Sequence, residues 1–464
     1  MVVPYRPPIE SRSLRVASPF DGRVVGEVAT SDPAAIVAAV VRAKSAAADF
    51  RRSTPARRRA LLEALAARVA AEAEPLARLI SDEMGKTIFE ARNEIRRAGN
   101  TLRLSGDAAT FLDGEVLHCG IVEGGADRLA HITYEPVGIV GAVTPFNYPV
   151  NLLCHKLGPA IAAGNAVVAK PSPKAPLAAA RLAELALDAG WPKHLFQVVH
   201  GGAEAALALA RSPIDLLSFT GGPVGGLALK AASGLVRCLM ELGGNDPLFV
   251  MPDADLDRAA ATAIAHRFEI AGQSCSAVKK LYLHADIADA FVERLVPAVA
   301  RHRVGDPGRD DVDMGPVIDL AAAEEVERRV AATIAGGAKC LAGGRRDGTL
   351  FAPTVLADVA VDAPVVADET FGPVIAIRTF RDPAEAIAEV NASSWGLQAG
   401  VFTNDHAVVK RFTRDLAVGG VMVNEGPDFR AEHVPFGGVK SSGLGREGVR
   451  ITLREMSETK VVID

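Results

Sequence analysis

Cys275 stands between two serines in Gly272-Gln273-Ser274-Cys275-Ser276, just after residues that let the backbone turn sharply. A thiol among small polar neighbours suits a nucleophile better than core filling, although most free cysteines are small buried hydrophobes. Three other positions carry complementary chemistry. Asn147 lies in Thr144-Pro145-Phe146-Asn147-Tyr148-Pro149, where two prolines fix the backbone after an apolar strand. A rigid amide there can donate to a developing oxyanion, or it can simply be a turn asparagine. Glu241 sits in the apolar run Met240-Glu241-Leu242-Gly243-Gly244. Burial would raise its pKa toward the range of a general base. Lys170, in Ala169-Lys170-Pro171-Ser172-Pro173, closes a buried strand, the place where ligands of open α/β sheets collect.

Glycine and carboxylate motifs extend this set. Phe219-Thr220-Gly221-Gly222-Pro223 follows another strand and opens a helix whose amides can approach a phosphate. A literal Gly-x-Gly-x2-Gly occurs at Gly443, Gly445 and Gly448, but it follows Pro435-Phe436-Gly437-Gly438 and not a strand, so it reads as a decoy. Glu369-Thr370-Phe371-Gly372-Pro373 puts a carboxylate and an aromatic ring on one tight turn.

These residues need a scaffold of strands and helices. Short continuous apolar runs at 138–143, 166–170, 195–199 and 216–220 alternate with helical stretches such as 175–189 and 203–211. That pattern predicts a parallel sheet covered on both faces. A second alternating region, from Pro247 to about Val423, has strands near 247–251, 279–283, 374–378 and 398–402. The junction falls near Gly243-Gly244-Asn245. Ahead of both, residues 32–111 carry helical periodicity, with starts at Asp32-Pro33 and Thr54-Pro55 and a stop at Gly85. Arg57, Arg58 and Arg59 read as a solvated helix face. Residues 115–136 read as a β-ribbon turning at Gly124-Gly125, with no core of its own. The fold class is therefore α/β.

The bulk numbers narrow the function classes. A chain of 464 residues suits two or three domains, and a net charge of −5 lacks the basic excess of a nucleic-acid binder. The five cysteines have no short pair spacing, which suits reduced thiols in a cytoplasmic protein and neither a disulfide framework nor a zinc site. Prolines interrupt Met1–Pro8 where a signal peptide needs an apolar run, and no apolar segment approaches a membrane span.

Taken in order, seven motifs make the chain resemble the aldehyde dehydrogenase superfamily from about Ser18 to the last strand. They are the segments around Asn147, Lys170, Phe219, Glu241, Cys275 and Glu369, and Pro435-Phe436-Gly437-Gly438-Val439-Lys440. The resemblance implies a Rossmann-like cofactor domain (1–114 and 137–243), an α/β catalytic domain (244–442) and an oligomerisation arm (115–136 and 456–464) that builds a homodimer or homotetramer. It implies that Cys275 attacks an aldehyde, that Asn147 and the Cys275 N–H hold the oxyanion, and that Glu241 activates the water that hydrolyses a thioester. The cofactor, NAD or NADP, would lie along Thr144, Pro145, Phe146, Lys170, Ser172, Pro173, Phe219, Thr220, Gly221, Gly222, Gly243, Glu369 and Phe371. The absence of glutamate at Pro173, where NAD-preferring members often have one, leaves NADP open.

At the substrate mouth the resemblance implies Tyr148, Ser274, Ser276 and Phe436. His155 stands where tryptophan is frequent, Arg430 where an aromatic residue is frequent, and the preceding helix adds Arg103. Such groups suit an anionic aldehyde, because arginine pairs with carboxylate or phosphate in fork geometry. The alternative for Arg430 is an ion pair with Asp428 or Glu432 on a surface loop. The text around Asn424–Glu458 is most similar to the subgroup holding lactaldehyde, phosphonoacetaldehyde and succinate-semialdehyde-type dehydrogenases, while Ser274 in place of an arginine speaks against a phosphonate. The expected activity is NAD(P)-dependent oxidation of a small polar or anionic aldehyde. The rivals are a CoA-acylating enzyme, against which Glu241 argues, and a catalytically silent relative.

Overall fold

The computed structural model describes residues 13–464, so the reading of Met1–Pro8 lies outside the described residues. The first helices start where cap chemistry puts them. Asp32 accepts from the Ala35 N–H ahead of helix Pro33–Phe50, and Thr54 accepts from the Arg57 N–H ahead of Pro55–Ala71. Gly85, at φ 79°, ends Ala73–Met84 in the left-handed conformation that glycine adopts cheaply. Helix Ile88–Ala108 then opens with a reciprocal capping box between Thr87 and Glu90.

One of the three arginines departs from the expected solvated face. Arg58 is buried and donates to the carbonyls of Ala162, Ala163 and Arg51 and to Ser53 Oγ. The last carbonyls of helix Asn151–Ala163 have no intrahelical partner, and a guanidinium satisfies several at once.

Two parallel sheets dominate. The first runs, in spatial order, 443–444, 237–241, 216–220, 139–143, 166–170 and 196–198. Strands Ile139–Val143, Ala166–Lys170 and Leu216–Thr220 are buried along their whole length, as helices on both faces require. Chain order begins at 139–143 and proceeds outward in both directions, so the switch point lies beside that strand. Thr144, Lys170, Gly221 and Glu241 all stand at or just past carboxyl ends of its strands, the edge that binds ligands in open α/β sheets.

The second sheet runs 339–342, 354–357, 374–380, 280–284, 247–250, 398–402 and 420–423, parallel except for its first strand. Cys275 and Glu369 precede strands Lys280–His284 and Val374–Phe380, so they lie at the opposite, amino-terminal edge of their sheet. A third sheet joins Glu115–His118, Leu129–Pro136 and Ser457–Ile463, with exposed Val116, Leu117, Val461, Val462 and Ile463. The Gly-x-Gly-x2-Gly stretch begins as a two-residue strand paired antiparallel to Arg237–Glu241, not as a phosphate turn after a parallel strand.

Candidate active site

A cavity of about 550 Å³ lies where the carboxyl edge of the first sheet meets the amino edge of the second. Twenty of the twenty-three residues singled out from the sequence line it, from Thr144 and Lys170 through Cys275 to Phe436. His155, Arg103 and Glu241 do not. Arg103 is exposed and turns to Asn100 on its own helix, because the helix face that carries it points to solvent. His155 is wholly buried behind the wall with neither ring nitrogen partnered. Burial keeps its ring neutral, and the Arg430 charge acts in the same direction.

The segment that leads into Cys275 is held in an unusual backbone conformation. Ile270 and Ala271 have φ of 53° and 50°, and Gly272 follows at 73°. Left-handed geometry at two residues with side chains costs about 1–2 kcal/mol each. Fixed partners hold it. The Ile270 N–H donates to Glu90 Oε1 at 2.7 Å, and the Gln273 side chain donates to the Ile270 carbonyl at 2.9 Å while accepting from the Ile318 N–H at 2.9 Å. Gly272 packs against the Gly372 carbonyl so closely that an added Cβ would lie 2.4 Å from it. The turn that carries Cys275 is thus pressed onto the turn that carries Glu369.

Asn147 is buried, and its amide nitrogen donates to the Gln273 carbonyl at 2.9 Å. An amide nitrogen has a second hydrogen, which this bond leaves for the cavity side. The serines that flank Cys275 both donate to Asp428, Ser274 at 2.8 Å and Ser276 at 2.5 Å. Burial pushes the Cys275 thiol up to about 12, while Lys279 pulls it down. The Lys279 ammonium donates to the Ser274 carbonyl at 2.9 Å and the Cys275 carbonyl at 2.5 Å.

Glu241 ends strand Arg237–Glu241 behind the wall, close enough to Gly437 that a Cβ there would lie 2.6 Å from its Oε1. Its Oε2 has no partner. Burial raises its pKa well above the usual carboxylate range, and the neighbouring Glu447 charge adds to that. Glu447 takes the cations of this cluster: Lys156 at 2.5 Å and Arg430 at 3.0 Å. Arg430 therefore pairs with neither Asp428 nor Glu432. It faces the cavity, stacked on the Phe436 ring at 4.3 Å.

The wall also holds residues that the motifs did not reveal. Arg97 lines the cavity and pairs with Glu432 at 2.8 Å. Glu94 caps the helix beyond Asn147 by accepting the Val150 and Asn151 N–H groups, and Lys86 neutralises it at 2.6 Å. A signal for them was present. Glu90, Glu94, Arg97, Thr101 and Ser105 recur every three or four residues along Ile88–Ala108, so a polar stripe occupies its inward face.

The far end of the cavity fits a dinucleotide. Helix Pro223–Ala232 opens into it at Gly222, which has no side-chain cap and open space around its Cα. Its free N–H groups suit a pyrophosphate. Lys170 and Ser172 sit at a strand end beside an apolar slot formed by Ala206, Leu207 and Leu229. Gly243 lets Glu369 approach the backbone, since a Cβ there would lie 2.1 Å from Glu369 Oε2. The Gly244 N–H then donates to Glu369 Oε1 at 3.2 Å, and Phe371 meets Phe146 edge to face at 5.9 Å. Among the described residues no cluster of His, Cys, Asp and Glu could hold a metal ion, and no helix is long and apolar enough to cross a membrane.

The profile of the aldehyde dehydrogenase family matches residues 6–462. The chain is 37% identical to sulfoacetaldehyde dehydrogenase of Neptuniibacter caesariensis, over 98% of this chain and 100% of the relative. It is 40% identical to aspartate-semialdehyde dehydrogenase 1 of Pseudomonas canavaninivorans, over 97% and 96%. Glyceraldehyde-3-phosphate dehydrogenase GapN from Methanocaldococcus jannaschii, solved in complex with NADP, superposes with a TM-score of 0.94 at 35% identity, covering 98% of this chain and 100% of that one.

Proposed function

The chain belongs to the aldehyde dehydrogenase family, and from that premise we propose that its substrate is a small anionic aldehyde, carrying a carboxylate or a sulfonate. It is an NAD(P)-dependent enzyme that oxidises aldehydes to acids. One observation carries the substrate reading. Arg97 and Arg430 line the same cavity as Cys275, and each has one carboxylate partner there, which leaves further N–H groups of each fork for an anion. The relatives in sulfoacetaldehyde and aspartate semialdehyde oxidation are named for aldehydes that carry a sulfonate and a carboxylate.

The chemistry follows from the positions. Cys275, ionised, adds to the aldehyde carbon, and the oxygen gathers charge beside the Asn147 amide and the Cys275 N–H. A bound nicotinamide supplies the hydride acceptor. Collapse of the tetrahedral adduct gives a thioester on Cys275. Glu241 takes a proton from water, whose oxygen adds to the thioester carbon, and the thiol leaves as the acid departs. Because Glu241 rests behind the wall, it must rotate past Leu242-Gly243 or act through a water chain. Glu369 and Lys170 would hold the two riboses of the cofactor, and the amides past Gly222 its pyrophosphate. The domain limits 1–114 with 137–243, 244–442, and 115–136 with 456–464 belong to this proposal. The exposed apolar third sheet supports a homodimer or homotetramer, which light scattering in solution tests. All five cysteines are free, which supports a reducing, cytoplasmic setting.

The deciding experiment is a kcat/KM panel of short aldehydes matched in size, neutral against anionic, with each cofactor and with CoA added. Arg97→Ala and Arg430→Ala should each lower kcat/KM for the anionic aldehydes by about 10–100-fold, the range for a hydrogen bond to a charged group. Neutral aldehydes should change little. An unchanged ranking in both variants removes the anionic reading.

A further inference from the structure

Lys279 is four residues past Cys275, immediately ahead of strand Lys280–His284, and its side chain is almost wholly buried. A buried ammonium is costly unless every hydrogen finds an acceptor and its charge a partner. Here three acceptors surround it: the carbonyls of Ser274 and Cys275, and Glu369 Oε1 at 3.4 Å. The backbone also fixes its root, because the Lys279 N–H donates to the Asp246 carbonyl at 3.1 Å. One charge thus touches the backbone of the nucleophile and a carboxylate on the cofactor side of the cavity. A brace alone could be built with neutral donors, so the use of a buried cation calls for an electrostatic reason.

We propose that Lys279 is a positioning residue for the oxidation: its charge, applied at the Cys275 carbonyl and at Glu369, favours the Cys275 thiolate and locks the nucleophile turn to the Glu369 turn. The inference rests on the assignment of Cys275 as nucleophile and Glu369 as a cofactor ligand. The charges around the thiol agree with it. Burial and the carboxylates of Asp428, Glu369 and Asp246 all oppose ionisation, and Lys279 alone among the named neighbours favours it. Without Lys279 the thiol would face burial and three carboxylates uncompensated. Glu369 would at the same time lose the cation that fixes its orientation at Gly244.

The test measures the pH dependence of Cys275 alkylation by iodoacetamide, read by mass spectrometry, together with kcat and KM for NAD and NADP on the full-length enzyme. Lys279→Met should move the alkylation profile to higher pH by roughly one unit or more, the effect expected of an opposite charge within a few ångström. It should also raise KM for the cofactor several-fold. Lys279→Arg should restore both in part, which a purely structural role would not do. Should Lys279→Met fail to fold, Lys279→Gln, with donors but no charge, carries the same expectation. A folded variant with the wild-type alkylation profile overturns the inference. Cys275→Ala separates the two levels: if it keeps turnover, the nucleophile assignment itself fails, and if it is inactive while Lys279→Met and Lys279→Gln behave as wild type, only the role of Lys279 fails.

Discussion

The two sides of the cavity around Cys275 and Glu241 are built in different ways. Around Cys275 the named polar contacts are closed: Glu90 holds Ile270, Gln273 bonds in both directions, Asn147 holds Gln273, Asp428 holds both serines, and Lys279 holds two carbonyls. Around Glu241 they are open. Glu241 Oε2, both nitrogens of His155 and Nε of Arg430 are buried without partners. Buried polar atoms are normally satisfied. Asn147 Oδ1 and Asp428 Oδ2 are orphaned on the Cys275 side too, but there the bonds that hold the turn are all made, whereas on the other side a carboxylate oxygen of Glu241 itself lacks a partner, which suits a group that meets water. Attack on a carbonyl needs a nucleophile and an oxyanion donor fixed to within a fraction of an ångström. Activation of water needs a base within hydrogen-bond reach of that water, directly or through one more. The strain at Ile270 and Ala271 belongs to the fixed side, where surrounding contacts over-determine the backbone.

That contrast predicts different kinetic failures on the two sides. The largest is expected at the open side. Glu241→Gln should leave the first hydride transfer intact and lower steady-state turnover by ~10²–10⁴, the usual range for a lost general base. Stopped-flow absorbance would record a burst of reduced cofactor followed by slow release. If the burst vanished with the steady state, Glu241 would act before the thioester and the division of labour would be wrong. On the fixed side, Asn147→Ala should depress burst and steady state together by ~10²–10³, as for other oxyanion donors. A loss confined to the steady state would move Asn147 to the hydrolytic half of the reaction.

Short motifs specify the groups of the fixed side and Glu241 itself, but not the buried charges packed around Glu241. Strands 166–170 and 216–220 and helix 203–211 are legible to the residue, because continuous apolar runs and helical periodicity are local signals. Cys275, Asn147, Lys170 and Glu369 stand in short motifs at strand or turn ends, where backbone geometry restricts the residue types. The buried charges could not be read that way. Lys156 and Glu447 are 291 positions apart, as are Asn165 and Met456, and only packing joins them. The family register of the chain places His155 at the mouth. Its helix turns it instead toward the Arg430–Glu447 pair. Arg58 reads as surface from its arginine neighbours, yet it closes a helix end 104 residues away.

Glu269 provides the smallest and finest test, since it lies at the boundary of the two sides. It follows the helix Leu256–Phe268, and its carboxyl accepts the hydroxyl of Tyr148, which lines the cavity, at 3.2 Å. Burial raises its pKa to about 7, with the charges of Asp428 and Glu90 adding to the effect. The group therefore keeps its proton well above the ordinary carboxylate range and loses it as pH rises through about 7. Ionised Glu269 then acts on Arg97, one of the two arginines proposed to hold the substrate anion. The sign follows directly: KM for an anionic aldehyde should rise as pH goes from 6 to 8, by roughly fivefold for an unfavourable interaction of about 1 kcal/mol across a partly screened distance. A neutral aldehyde of the same size should show no such rise. Glu269→Gln, which keeps an acceptor for Tyr148 but cannot ionise, should flatten the anionic profile and leave kcat nearly unchanged. A pH dependence that persists in Glu269→Gln would assign the titration to another group of the cavity wall, and Arg97 would then hold its anion without a competing carboxylate.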